Sequence, residues 1–398
     1  MTTAADLIRQ HLNDDIYTLS ARSRWHEPYD KRWLLQQIQS RQKAKSKLPS
    51  WYGNFDLLFP PPLSVEQCSS ELTASYKAAL AHGGSLIDMT GGMGVDAAAF
   101  ARRCAAVTFI ERQPEVAEAA RHNFPLLGLR NIEVVCGDST ELLAALQPTD
   151  HIYLDPARRK AGQKVSRLED CEPDLLQLLP MLRSHTSHLL VKLSPLIDLT
   201  LLQRQLPGIT TLHIVSVHHE VKEVLAEVRF DQPAETPDVV CAELAVPSRS
   251  ITFHPTEQQN NNKPVLAESV QTYLYEPHPT VMKSGLMDEL AVRYNLCKLH
   301  HNSHLYTSTE LHSDYFGRIF AVQSVFGMGK RELKEGLEGV TQACITTRNF
   351  PLKAEELRRK LKLNDGGEVT LLGTTVADGR HVLIRCESVT PPSATCSR

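Results

Sequence analysis

The residues best suited to chemistry gather in Leu86-Ile-Asp-Met-Thr-Gly-Gly-Met-Gly-Val-Asp96. An apolar run closes on Asp88, Thr90 follows, and Gly91, Gly92 and Gly94 lead into a helical pattern from Val95. Glycines admit positive φ and let the backbone pass directly beneath a ligand. A helix starting behind them turns free N–H groups toward that ligand. The combination predicts a nucleotide-type cofactor site. Three more carboxylates close the apolar runs that follow: Glu111, then Asp138 in Gly137-Asp-Ser139, then Asp155. Any one of these acids reads as a cap on a strand-to-helix turn. Four in order point to a ligand with several groups for carboxylates to hold.

Two cofactors compete for this pattern. Gly92, Gly94 and Ala97 satisfy G-x-G-x-x-A, and Glu111 supplies an acid at the next strand end, as a dinucleotide site requires. Asp88, however, stands before the glycines, where it repels a pyrophosphate and attracts a cationic aminoacyl group. A ligand carrying sulfonium, ammonium, ribose diol and adenine uses the whole set. Asp88 then faces the methionine part, Glu111 takes both ribose hydroxyls, and Asp138 with Ser139 holds the adenine. The pattern favours S-adenosyl-L-methionine as cofactor.

The stretch His151-Ile-Tyr-Leu-Asp-Pro-Ala-Arg-Arg159 follows at the fourth strand. Asp155-Pro156-Ala157-Arg158 resembles the Asp/Asn-Pro-Pro-aromatic/Arg motif of enzymes that methylate nitrogen on nucleic-acid bases. A base nitrogen is a poor nucleophile while its lone pair is delocalised into the ring. An acceptor at Asp155 orients and polarises the N–H, and Pro156 pre-organises the turn. Ala157 replaces the second proline, and Arg158 replaces the aromatic that would stack on a flipped base. Arginine can stack on a base or contact phosphate, so Arg158 and Arg159 are candidate substrate contacts, with ion pairs to Asp170 or Glu172 as the alternative.

The same stretch is reminiscent of RNA uracil-C5 methyltransferases, which place a cysteine nucleophile after the fifth strand. Here that strand reads Leu189-Leu-Val-Lys-Leu-Ser-Pro195, and Ser194 stands where the cysteine is wanted. Lys192 either contacts substrate or snorkels from the strand end.

These residues need a scaffold, and 85–195 supplies one. Strand-like runs at Ser85–Met89, Ala106–Ile110, Ile132–Cys136, His151–Leu154 and His188–Leu193 alternate with helical stretches at Val95–Arg102, Gln113–Phe124, Ser139–Ala145 and Glu172–Leu182. That alternation predicts an α/β fold, a parallel sheet with helices on both faces. Leu212–Val217 and Val221–Phe230 read as an antiparallel pair at its edge. Residues 1–62 read as an N-terminal helical segment stopped by Pro60-Pro61-Pro62, and 63–257 as the catalytic domain. Gln258-Gln-Asn-Asn-Asn-Lys-Pro264 reads as a linker. Beyond it, 270–322 and 323–392 read as small α+β units, the latter with a helix at Lys353–Leu363 and a Gly366-Gly367 turn.

Gln67-Cys-Ser-Ser-Glu71, the glycine loop, Tyr153–Arg159 and Val191-Lys-Leu-Ser-Pro195 together resemble one family. It is the bacterial class I S-adenosylmethionine-dependent methyltransferases with a ferredoxin-like insert and a C-terminal THUMP-like domain. Thr346-Thr-Arg-Asn-Phe-Pro351 and the helix after it resemble the THUMP-like part. The resemblance covers about 60–390, and it implies a Rossmann-like sheet and an RNA substrate, tRNA or rRNA.

Bulk properties set the outer bounds. Net charge is −3, so the chain as a whole is not a basic nucleic-acid binder. Basic residues concentrate in the first sixty and last seventy-five positions, and around Lys330–Glu335 they alternate with acids as on a solvated helix face. The mild acidity keeps open a methyltransferase for a protein or small molecule; a non-catalytic RNA-binding module on a relic fold is a further alternative, against which the intact glycines and acids argue. The start lacks a signal-peptide pattern, and no apolar run reaches a membrane-spanning length, which predicts a cytoplasmic protein without a membrane partner. Nine singly spaced cysteines predict thiols rather than a disulfide framework. His218-His219 and His300, His301 and His304 read as polar residues of strands and turns, so no metal is expected.

Overall fold

The computed structural model describes residues 3–158, 168–245, 247–258 and 263–389. Arg159 and the centre of the asparagine-rich linker stretch lie outside the described residues. The chain divides into two compact units, 1–212 with 223–235, and 213–222 with 236–398.

In the first unit six helices precede the sheet: α1 Ala4–His11, α2 Ile16–Ala21, α3 Lys31–Ala44, α4 Pro49–Tyr52, α5 Pro62–Gln67 and α6 Glu71–Leu80. A small core of Leu7, Ile8, Leu19, Leu34 and Ile38 closes between the first three of these helices. Pro62 does not only stop a segment. It opens α5 at a first-turn position, where its missing N–H leaves no bond unmade. Arg41 is fully buried in this region, where its guanidinium donates to the carbonyls of Tyr52, Asn54 and Leu57 at 2.8–3.0 Å.

The alternating part follows as β1 Ser85–Asp88, α7 Val95–Ala101, β2 Ala106–Glu111, α8 Pro114–Leu126, β3 Ile132–Cys136, α9 Ser139–Leu142 and β4 His151–Leu154. A small ribbon, β5 Ala157–Arg158 against β6 Cys171–Glu172, interrupts it before α10 Leu175–His185 and β7 His188–Leu193. Then come α11 Leu199–Gln205, β8 Ile209–Val217 and β9 Glu220–Arg229. The order β9-β7-β4-β1-β2-β3 is parallel except for β9, which runs antiparallel to β7. From β1 the chain builds outward one way through β2 and β3, then returns to place β4 and β7 on the other side. Strand order therefore reverses between β1 and β4, and ligands of open α/β sheets bind at such a reversal, beyond the carboxyl ends of the strands.

One helix start differs from the sequence reading. The helix expected from Glu172 begins at Leu175, because Asp174 caps it by accepting the Leu176 N–H at 3.1 Å. Glu172 itself stays extended in β6.

The second unit holds the tip of the β8–β9 hairpin, then β10 Asp238–Glu243, β11 Arg249–Phe253 and α12 Pro255–Gln258. Further on come β12 Tyr273–Pro277, α13 Pro279–Ser284, α14 Met287–Arg293, β13 Cys297–His300 and β14 Ser303–Ser308. The chain closes with β15 Gly317–Phe326, α15 Lys330–Gly336, β16 Gln342–Arg348, α16 Ala354–Leu361, β17 Asn364–Thr375 and β18 His381–Ser388. One seven-stranded sheet, β13-β14-β12-β15-β18-β17-β16, carries all of this last part. The stretches on either side of 322 thus share a sheet, with β15 between β12 and β18. Gly366-Gly367 is not a turn between elements. Both lie inside β17 with φ of 94° and 86°, at a bulge where the register against β16 slips.

A cofactor loop joined to an Asp-Pro turn

Asp88 ends β1 almost fully buried. Its Oδ1 accepts the Thr90 N–H at 3.0 Å, while Oδ2 is buried with no partner among the described residues. Burial, reinforced by Asp96, Asp155 and Glu111, pushes this carboxyl well above its ordinary range. An orphaned buried acceptor at a strand end is where a cationic group would be taken up.

The glycines around it are required by space. A Cβ on Gly91 would lie 2.4 Å from the Phe109 ring and 2.9 Å from the Ile110 carbonyl oxygen, and the Gly91 N–H donates to that same oxygen. Gly94 caps α7 with φ of 86°, and a Cβ there would meet the Phe124 ring at 2.8 Å. Gly92 donates its N–H to Glu111 Oε2 at 2.8 Å, and Gln113 donates to Oε1 at 2.7 Å. The carboxylate of β2 is thereby aimed back at the loop.

Asp138 does what the bland reading of it required: Oδ1 accepts the Thr140 N–H at 2.9 Å and the Thr140 hydroxyl at 2.6 Å. Those two bonds hold its carboxyl below the usual range. Asp138 is exposed beside a buried Ser139.

At the fourth strand the loop and the Asp-Pro turn are tied together. Asp155 donates its N–H to Thr90 Oγ1 at 2.7 Å, and Met89 donates to the Tyr153 carbonyl at 3.1 Å. Thr90 is thus a bridge between the two motifs. Lys192, near the end of β7, places Nζ 2.6 Å from Asp155 Oδ2. Burial alone would lower the Lys192 ammonium, but Asp155, Glu223 and Asp96 override it and hold it above its usual value. Asp155 and Lys192 form a partly buried ion pair beside Pro156. Arg158 runs in β5 opposite Cys171, and Glu172 accepts from Arg112 Nη1 at 2.6 Å.

Beneath this turn lies a charge cluster that the sequence did not announce. Lys77 of α6 is fully buried, with Nζ 2.7 Å from Ser69 Oγ, 3.1 Å from Asp96 Oδ1 and 3.1 Å from Glu223 Oε2. Asp96 Oδ2 accepts from Ser69 Oγ at 2.8 Å and from the Tyr153 hydroxyl at 2.9 Å. Burial works against Lys77, yet the two carboxylates keep its ammonium above the ordinary value. For Asp96 the lysines outweigh burial and its carboxyl falls, whereas Glu223 takes the burial penalty and rises. The cluster joins α6, the first turn of α7, β4 and β9, the elements that carry the loop and the Asp-Pro turn. Tyr153 lies in β4, two residues before Asp155.

Residues 70–172 match a family described as conserved hypothetical protein 95, residues 273–315 a ferredoxin-like domain, and residues 317–388 a THUMP domain-like family. The crystal structure of a candidate methyltransferase from Porphyromonas gingivalis W83 is 35% identical, superposes with a TM-score of 0.88, and matches over 98% of both chains. This chain belongs to the same family. It is a class I S-adenosylmethionine-dependent methyltransferase with ferredoxin-like and THUMP-like C-terminal parts, and S-adenosyl-L-methionine is its cofactor.

An uncharacterized S-adenosylmethionine-dependent methyltransferase of Mycobacterium tuberculosis is 22% identical to this methyltransferase over 87% of its chain and 93% of the relative's. A 23S rRNA (uracil(1939)-C(5))-methyltransferase of Shewanella amazonensis is 33% identical over 94 residues, 23% of this chain and 21% of that one. Among the described residues no helix is long and apolar enough to cross a membrane.

Proposed function

We propose that this methyltransferase methylates a base nitrogen of RNA, in tRNA or rRNA. The observation that carries the reading is the anchored Asp155, whose backbone is pinned to Thr90 of the cofactor loop and whose Oδ2 is held by Lys192. When bound, S-adenosyl-L-methionine supplies a methyl group activated by its sulfonium. In this reading its ammonium meets Asp88 Oδ2, its ribose hydroxyls meet Glu111, its adenine meets Asp138 and Ser139, and Gly91, Gly92 and Gly94 leave room for it.

Asp155 then accepts the N–H of the target nitrogen through Oδ1. Lys192 holds the other oxygen, Oδ2, and so orients the carboxyl for that task, and Pro156 fixes the approach. The proton released from nitrogen passes to Asp155. Arg158 and Arg159 stack on the base or hold its phosphate.

A uracil-C5 mechanism is disfavoured on chemistry. It needs a thiolate, and Ser194 occupies the usual place of the nucleophile. Cys68, which senses Asp96, Lys192 and Lys77, has its thiol pushed up to about 11 by burial. The THUMP-like match and the rRNA-modifying relative support an RNA acceptor.

Nucleoside mass spectrometry of total RNA tests the proposal in a strain lacking the gene. Cells complemented with the wild type should regain one N-methylated nucleoside that Asp155→Ala cells lack. Identical nucleoside profiles with and without the gene would refute the RNA assignment and favour a protein or small-molecule acceptor.

A further inference from the structure

We propose that His219, Glu243 and His278 of the second unit form a binding site for a zinc-class divalent metal ion. His219 Nδ1 lies 3.0 Å from His278 Nε2, and His278 Nε2 lies 3.4 Å from Glu243 Oε2. All three ligand atoms fall within 4.8 Å of one another. A tetrahedral zinc with bonds of about 2.0–2.1 Å sets its ligand atoms about 3.3 Å apart, close to the 3.0 and 3.4 Å separations of His278 Nε2 from its two partners. Two imidazoles and one carboxylate are a donor set for zinc and its neighbours rather than for calcium or magnesium. Three protein ligands leave a fourth position for water or a substrate group.

The surroundings hold each ligand in place. Glu243 ends β10, where its Oε1 accepts the N–H groups of His218 at 3.0 Å and Ala245 at 2.8 Å. Oε2 accepts the His219 N–H at 2.8 Å and lies 3.1 Å from Ser216 Oγ, whose proton can instead go to the Ala242 carbonyl at 2.9 Å. His278 is buried, with Nδ1 2.9 Å from Thr280 Oγ1 and its ring against Phe316. Metal-bound histidines commonly donate their other ring N–H to such an oxygen.

The backbone adds an independent sign. His218 and His219 form the two-residue turn between β8 and β9 with φ of 52° and 61°. Such a turn favours Asn-Gly, and a histidine side chain at positive φ is strained. The strained turn brings the His219 ring to His278. The competing account is a plain hydrogen bond between the two imidazoles. In that account His278 Nδ1 accepts the Thr280 N–H, 3.3 Å away, and Nε2–H donates to His219.

The test uses the full-length protein freed of metal by chelator. Zinc is titrated by calorimetry, and cobalt(II) is added to read the ligand field. His219→Asn is the variant, because asparagine tolerates the left-handed turn while supplying no imidazole. The wild type should bind one zinc per chain with micromolar or better affinity, and its cobalt spectrum should be tetrahedral without a thiolate charge-transfer band. His219→Asn should bind at least about tenfold more weakly and melt unchanged in chelator. Equal zinc affinity in the variant, a thiolate band showing that cysteines hold the ion, or no uptake by the wild type would each overturn the proposal. The readout is metal binding alone, so it is independent of the RNA assignment.

Discussion

Replacing Asp88 by asparagine should stabilise the cofactor-free protein while abolishing its gain in stability from cofactor. The side-chain oxygen of asparagine can still accept the Thr90 N–H that Asp88 Oδ1 accepts at 3.0 Å. What disappears is the buried charge on Oδ2, which has no partner among the described residues. Leaving a buried polar group unsatisfied costs about 1–3 kcal/mol, more when it is charged. The new amide has its own unmet donors, so the net gain at pH 8 should be on the order of 1 kcal/mol, roughly 2–4 °C for a unit of this size.

The pH dependence gives the prediction its signature. Burial raises the folded-state carboxyl well above its ordinary value, so across that interval the folded protein binds more protons than the unfolded one. Wild-type stability therefore falls as pH rises from the ordinary carboxylate range toward the raised value. Asparagine has no such slope, and the gap between the proteins should widen from pH 5 to pH 8. Thermal melts at both values, with and without S-adenosylhomocysteine, read all of this. Ligand should raise the wild-type midpoint by mass action and leave the variant unmoved. A variant that melts lower at pH 8 and still responds to ligand would refute the reasoning.

Three further substitutions probe the framework. Lys77→Met leaves Asp96 and Glu223 buried without their shared cation and should cost about 3–5 kcal/mol in denaturant melts, with partial recovery when Glu223→Gln is added. Gly94→Ala forces a side chain into φ of 86° against Phe124. It should cost about 1–2 kcal/mol in backbone strain alone and weaken S-adenosylhomocysteine binding in calorimetry. Thr90→Val removes the acceptor of the Asp155 N–H and should lower kcat more than it raises the cofactor Kd. An unchanged kcat would show that the Asp-Pro turn does not need this tether.

The central strands were legible because short apolar runs punctuated by glycine and acidic residues leave little choice of element. β1, β3, β4 and β7 begin where the sequence placed them, and Asp88, Glu111 and Asp155 end or follow their strands. The charged alternation around Lys330 became α15. Local pattern misled where neighbours decide the conformation. Gly366-Gly367 reads as a turn, but pairing with β16 on both sides, at Asp365 and Thr370, keeps it inside a strand as a bulge.

The amino-acid order by itself determined the α/β alternation, the glycine loop and the acids at successive strand ends, because periodicity and turn chemistry act over a few residues. Only the tertiary structure decided which of these groups meet. Lys77 and Glu223 stand 146 residues apart, and each alone reads as a solvated charge. The same holds for His219 with His278, 59 residues apart. Burial, and hence the raised carboxyls of Asp88 and Glu223, exists only once the sheet has closed over these side chains, so their ionisation belongs to the fold rather than to the motif.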